Sequence, residues 1–252
     1  MDRFPQPNND LNLIGYNPDS EEEEKTGIWD VAVHLENEMF DSVRVFLRDI
    51  EFDLIKIINR YKDGAIFGCV AWLTSVPILE ALSKCRYVQI IVQKEDFLRP
   101  DYGSKSGWEL KLNHLYSQVK CHAARWELDK PISELSFLSN PTVDGIRCVG
   151  NYNHEKKPAF PRSHHKFLVF CEVEHGATEK RSFKYTPTAL WTGSYNMTAN
   201  AKKSLENVLF LEKKSGSELF NSYLKEHHNI FCMSEPLDWT TIWVSPEYRI
   251  GS

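Results

Sequence analysis

The sequence predicts an α/β protein with a mixed, mainly parallel sheet flanked by helices. Three observations carry this expectation. Two apolar runs of strand length, Ala65–Leu73 and Tyr87–Val92, bracket a helical stretch that starts after Pro77. That strand-helix-strand order is how a chain makes parallel neighbours. Further short apolar runs recur in the second half, at Phe167–Phe170, Ala189–Thr192 and Val208–Leu211. Helical periodicity appears toward both ends of the chain. Val45, Ile50, Leu54, Ile57 and Ile58 recur at helical intervals within Asp41–Tyr61, and Gly216–Ile230 follows Ser215, with Ser215 or Ser217 near its cap.

Taken in order, residues 1–26 are polar, with Pro5, Pro7, Pro18 and the run Glu21–Glu24, and read as a flexible acidic lead. Residues 27–252 read as one domain. It begins with the helix Asp41–Tyr61, the strand Ala65–Leu73, the helix Ile78–Cys85 and the strand Tyr87–Val92. Trp108–Val119 reads as helix, Leu135–Asp144 as loop and Ile146–Val149 as a short strand. Glu172–Thr188 is a polar stretch with Gly176 and Pro187 and reads as an extended hairpin. Trp239–Val244 is a candidate edge strand. There is no internal repeat.

The 252 residues are 42% hydrophobic, with seven Trp and fourteen Phe, enough apolar surface for a substantial core. The longest apolar run, about Ala65 to Leu73, is far short of the roughly 20 residues a membrane span needs. Met1-Asp2-Arg3-Phe4-Pro5 lacks a signal-peptide layout, so a soluble cytoplasmic protein is expected. The six cysteines include no C-x-x-C pair, which points to reduced core thiols. Cys121-His122 lacks a second ligand pair, and no metal or cofactor is expected. Net charge is -5, but it is unevenly placed. Residues 1–53 carry 14 acidic and 4 basic side chains, a net of -10, which leaves +5 for the remainder. Lys156, Lys157, Arg162, Lys166, Lys180, Arg181 and Lys184 cluster in that remainder. They read either as a solvated surface or as a track for a phosphate backbone.

The most informative stretch is His164-His165-Lys166, entering the apolar run Phe167–Phe170. On a strand, residues two apart share a face, so His164 and Lys166 point together and His165 points away. An imidazole beside an ammonium suits attack on an anionic phosphodiester. His-x-Lys alone is a weak signal. His154-Glu155-Lys156 has the same spelling, but Lys157, Pro158 and Pro161 follow it, and it reads as loop. What distinguishes His164 is its sequel, Gly193-Ser194-Tyr195-Asn196 at one strand end and Glu206-Asn207 at the start of another. Ser194 and Asn196 also suit a simple turn, and Glu206 a surface position. Tyr195 reads as packing or as a base-stacking platform. Asn196-Met197-Thr198 is a glycosylation sequon whose use would block this centre, in keeping with a non-secreted chain.

The ordered set His164-x-Lys166, Gly193-Ser194-x-Asn196 and Glu206-Asn207 resembles the phospholipase D superfamily. The likeness is strongest to its small single-motif branch, which includes a compact dimeric bacterial endonuclease. It is specific across residues 164 to 212 and topological elsewhere. The resemblance implies a phospholipase D-like fold over 27–252 and a metal-independent nuclease acting on DNA or RNA. His164 would be the nucleophile, forming a phosphohistidine. Lys166, Ser194 and Asn196 would hold phosphoryl oxygens, and Glu206 would orient the imidazole. One motif copy implies a homodimer that brings His164 of both subunits to one site. The superfamily's motif aspartate, five residues after the lysine, is Cys171 here. Two other readings stand beside the nuclease: a phospholipid-head-group phosphodiesterase, and a catalytically weak module that binds nucleic acid or protein.

Overall fold

The computed structural model describes residues 38–95, 98, 107–121, 143–151, 162–175 and 183–237, the side chains of Val143, His175, Phe183, Lys184 and Cys232 apart. The expectations for residues 1–26, His154 and Trp239–Val244 lie outside these residues.

The described residues build nine strands and four helices in the order β1 (Ser42–Phe46), α1 (Ile50–Arg60), β2 (Ala65–Val70), α2 (Val76–Leu82), β3 (Tyr87–Gln93), α3 (Gly107–Gln118), β4 (Lys120–Cys121), β5 (Val143–Asp144), β6 (Ile146–Val149), β7 (Lys166–His175), β8 (Phe183–Gly193), β9 (Val208–Glu212) and α4 (Glu218–Met233). All strands join one sheet in the order β1-β9-β8-β7-β2-β3-β4-β5, with β6 also paired to β3. Alternation along each central strand sorts its side chains to two sides. Ile66 and Val70 of β2, Val88, Ile90 and Val92 of β3, and Leu168 and Phe170 of β7 join α1, α2 and α3 in one apolar cluster. Ala65, Phe67, Cys69, Ile91, Phe167, Val169 and Cys171 meet Phe220, Leu224, Ile230 and Phe231 of α4 in the other. The sheet is thus covered on both faces, which is why β2 and Phe167–Phe170 are continuously apolar and β3 is apolar apart from Gln89 and Gln93.

The mainly parallel sheet expected from the sequence is corrected: β2–β3 and β3–β6 are parallel and the other six pairings antiparallel. The α2 crossover forces the first parallel pair. In the second half β7 and β8 form a long antiparallel ladder, and β9 pairs antiparallel with β8. The helix expected over Asp41–Tyr61 is also shortened. Residues 42–46 form β1, whose Val43 and Val45 alternate with Arg44 and Phe46 in register with β9. Asp49, at φ 52, breaks the chain direction before α1 begins. In β8, Pro187 cannot donate to the ladder. The pairing with β7 shifts there, from Phe170↔Ala189 to Cys171↔Pro187, and skips Thr188.

Cys171 is fully buried on the α4 side of β7, where burial pushes its thiol well above the usual range. An aspartate at this position would place an unpaired carboxylate in an apolar layer. Cys171→Asp is therefore expected to cost about 3 kcal/mol or more, read as a lowered urea midpoint, while Cys171→Ala stays close to the wild type. Equal midpoints for Cys171→Asp and the wild type would contradict this packing account.

Two adjacent histidines of α4 are also buried. His227 packs against Phe67 and Phe231. Burial pulls His227 from 6.5 down to about 3 and His228 to about 4. Unfolded imidazoles bind protons below about pH 6.5, while the folded ones stay neutral until near their lowered values. Stability is thus intact above pH 6.5 and falls as pH drops toward 4, by about 1.4 kcal/mol per pH unit for each histidine. Replacing His227 by Phe is expected to flatten the pH dependence of the melting temperature across that window. An unchanged slope would show that His227 is already protonated in the folded protein.

Candidate active site

The C-terminal ends of β2, β3, β6 and β8 and the N-terminal ends of β7 and β9 all lie at one end of the sheet. Register dictates this convergence: Val70 opposes Lys166, Phe167 opposes Thr192, and Gly193 opposes Val208. His164 and Lys166 enter β7 at this end. Ser194 and Asn196 leave β8 there, and Glu206 leads into β9.

His164 and His165 diverge. The His164 ring meets Trp72 edge-on, at 6.2 Å between centroids and 85°. His165 packs edge-on against Phe167 and lies 3.5 Å from Glu226 of α4. Burial lowers the His164 pKa, and the charges of Lys166 and Arg162, with His165, lower it further. The imidazole is therefore largely neutral at pH 7, the form a nucleophile needs. Lys166 Nζ donates to the His164 carbonyl at 2.9 Å. Partial burial lowers its pKa, and the attraction of the Glu206 carboxylate opposes that shift.

The turn after β8 is held by its own backbone. Ser194 N donates to Asn207 O at 2.9 Å, and Asn207 N donates to Ser194 Oγ at 3.0 Å. The Ser194 hydroxyl donates to Glu206 Oε2. Thus Ser194 and Glu206 are bonded to one another, and Glu206 acts electrostatically on Lys166. Gly193 allows this close approach, since a Cβ there would lie 2.2 Å from Asn207 O and 2.8 Å from Val208 Cα. The Asn196 amide is half-buried, with Oδ1 buried and without a hydrogen-bond partner. Met197 N donates to Trp72 O at 3.1 Å, while Thr74 N and Ser75 N both donate to Met197 O at 2.8 Å. The Ser194–Met197 turn is thereby locked to the segment that follows β2.

The structure describes three of the seven expected substrate-contact residues, Tyr195, Arg162 and the backbone of Lys184. Tyr195 is 1% exposed within the α1-side cluster, so its ring packs the core and offers no face for stacking. The Arg162 guanidinium bonds to Glu95 Oε1, which makes it a partner within the site more than part of an open phosphate track. Lys156, Lys157, Lys180 and Arg181 lie outside the described residues. Lys184 pairs in β8 with Glu174 on the lower reach of the ladder, away from the Gly193 end.

The chain is similar in structure to a phospholipase D family member. That protein is Nuc from Salmonella typhimurium, with 16% identity, a TM-score of 0.46, and coverage of 77% of this chain and 96% of that one. NucT from Helicobacter pylori is similar at 13% identity and a TM-score of 0.41, covering 75% of this chain and 95% of that one. In sequence, the chain is 28% identical over 212 residues to the uncharacterized protein L381 of Acanthamoeba polyphaga mimivirus, across 79% of this chain and 68% of that protein. No protein-family model matches the sequence.

Sequence reasoning missed three residues of this site. Trp72 was read as part of a strand, and Gln93 and Glu95 were not singled out. Trp72 Nε1 donates to Glu95 Oε1 at 2.8 Å. Gln93 is buried and accepts from Ser163 N at 2.6 Å while donating to Lys94 O and Asn151 O at 2.9 and 2.7 Å. Gly150, at φ +83, leaves room for it, since a Cβ there would fall 2.5 Å from Gln93 Oε1. The available signal was the polar run Gln93-Lys94-Glu95 directly after an apolar strand. Removing the Gln93 amide takes the acceptor from Ser163 N, beside the candidate nucleophile, and a donor from Lys94 O and Asn151 O. Gln93→Leu is expected to cost about 2 kcal/mol or more in chemical denaturation. A cost near zero would show that these backbone groups find other partners.

Proposed function

We propose that this chain is a metal-independent nuclease that hydrolyses DNA or RNA phosphodiester bonds through a phosphohistidine, as a homodimer. The observation that carries the reading is the grouping of an exposed imidazole, its pKa lowered, with Lys166, Ser194 and Glu206 at one sheet end. A lone pair of His164 attacks phosphorus, and the P–O bond to the leaving group breaks. The partner subunit's His164, as imidazolium, gives the leaving oxygen its proton. Water then attacks phosphorus and passes a proton to the partner's imidazole. The P–N bond breaks, releasing a phosphate monoester and neutral His164. The two imidazoles need opposite protonation states, so they titrate as a coupled pair.

Lys166, at present bonded to a backbone carbonyl, turns its ammonium to the non-bridging oxygens as charge builds there. Asn196 adds an amide donor. Ser194 holds one oxygen of Glu206, and the other accepts the N–H of the non-attacking imidazole nitrogen, orienting the ring as a triad carboxylate does. The basic remainder of the chain, +5 beyond residue 53, supplies attraction for a long polyanion.

The test uses labelled single- and double-stranded DNA, RNA and phospholipid, each with EDTA. Cleavage of nucleic acid is expected to persist in EDTA and to fall on the order of 1,000-fold or more in His164→Ala. Loss of cleavage in EDTA sinks the metal-independent scheme, and full activity of His164→Ala sinks the site. In solution, the protein is expected to behave as two 29.3 kDa chains. A strict monomer would remove the second imidazole.

A further inference from the structure

At the sheet end, Glu95 stands between two groups that flank the nucleophile. Its Oε1 accepts from Trp72 Nε1 at 2.8 Å and from the Arg162 guanidinium. Both Arg162 and Glu95 are largely buried, at 20% and 15% side-chain exposure. Trp72 presents its ring at right angles to the His164 imidazole, 6.2 Å away. Arg162 lies two residues before His164, and Ser163 between them is held by Gln93. The bonds run from the ends of β2 and β3 to the segment entering β7, three separate parts of the chain. Lys166 is the neighbouring cation, yet its bond goes to the His164 carbonyl, not to a carboxylate among the described residues.

From this geometry we propose that Glu95 is a positioning residue which, through Trp72 and Arg162, fixes the orientation of the His164 ring and balances the charge beside it. The inference rests on His164 being the nucleophile, and it assigns Arg162 a role other than direct phosphate contact. The ring needs such a support. A histidine just outside a strand has two soft side-chain torsions, and productive attack tolerates only small misplacement. Trp72 supplies a wall on one side. Glu95 fixes that wall by its indole N–H, so the indole cannot rotate without breaking a part-buried bond.

Charge is the second half of the role. The charged and titratable groups around His164 are Arg162, His165 and Lys166 on its own segment, Glu95 across from it, and Glu206 acting on Lys166 from the β9 side. Arg162 and Lys166 both favour the neutral imidazole. Glu95 opposes Arg162, which keeps the ring basic enough to serve as nucleophile and, in the partner subunit, as acid.

The experiment is an NMR titration of the histidine ring signals in the intact protein, with the His164 signal assigned from its loss in His164→Asn. Arg162→Gln removes a positive charge and is expected to raise the His164 pKa by about half a unit or more. Glu95→Gln keeps an acceptor for Trp72 but exposes His164 to an unbalanced Arg162, and is expected to lower it by a similar amount. Opposite movements support the proposal. No movement, or movement in the same direction, overturns it. Trp72→Phe keeps a ring but loses the bond to Glu95. It is expected to lower kcat on an oligonucleotide about 10-fold with KM nearly unchanged, and an unchanged kcat also overturns the proposal. The titration needs no substrate, so it can succeed or fail independently of nuclease activity. Backbone amide spectra matching the wild type establish that each variant is folded.

Discussion

The register of β7 between β2 and β8 is the constraint on which the site depends. Lys166 sits opposite Val70 and Phe167 opposite Thr192. With those pairs fixed, His164, Trp72, Ser194 and Glu206 come to the same end of the sheet. A slip by one residue would turn Leu168 and Phe170 toward α4 and move Lys166 to the opposite face. Burial on both faces resists that slip, because Leu168 and Phe170 fill the α1 side and Phe167 and Val169 the α4 side. The apolar layers therefore do more than stabilise the fold. They hold the polar sheet end to a single arrangement.

At that end, charges are balanced locally and not left bare. Arg162 is set against Glu95, Lys166 feels Glu206, and Glu206 is itself bonded by Ser194. Balanced partly buried groups cost less than isolated ones and are held at fixed angles. The same logic explains Cys171. Among the described residues Cys171 lies in an apolar cluster, and a neutral thiol fits where a carboxylate does not. Cys171 thus serves core packing some distance along β7 from His164.

Much of this was legible in the sequence because apolar runs of strand length marked β2, β3, β7, β8 and β9. The spacing of His164, Ser194, Asn196 and Glu206 marked the sheet end. Strand direction was less legible. Only the strand-helix-strand unit advertises its pairing, and the antiparallel second half made the sheet mostly antiparallel. β1 was hidden because Val45 was counted with the helical series Ile50, Leu54, Ile57 and Ile58, although it lies five residues before Ile50, across the turn at Asp49. The surroundings of Tyr195 and Arg162 were not legible for a different reason. Their residue types suit a substrate, but burial and the Glu95 partner are tertiary facts with no local signature. Trp72 and Glu95 were invisible as site residues since nothing in the chain announces that the ends of β2 and β3 meet the start of β7.

The central claim is that His164 forms a covalent bond to phosphorus. It is tested most directly by mixing the protein with a single-stranded oligonucleotide, quenching in alkali, where phosphohistidine survives, and mapping the adduct by peptide mass spectrometry. The account predicts a phosphoryl-linked nucleotide fragment on His164 and none on His165. Substrate cleaved with no adduct on any histidine, or an adduct on His165 alone, would contradict it.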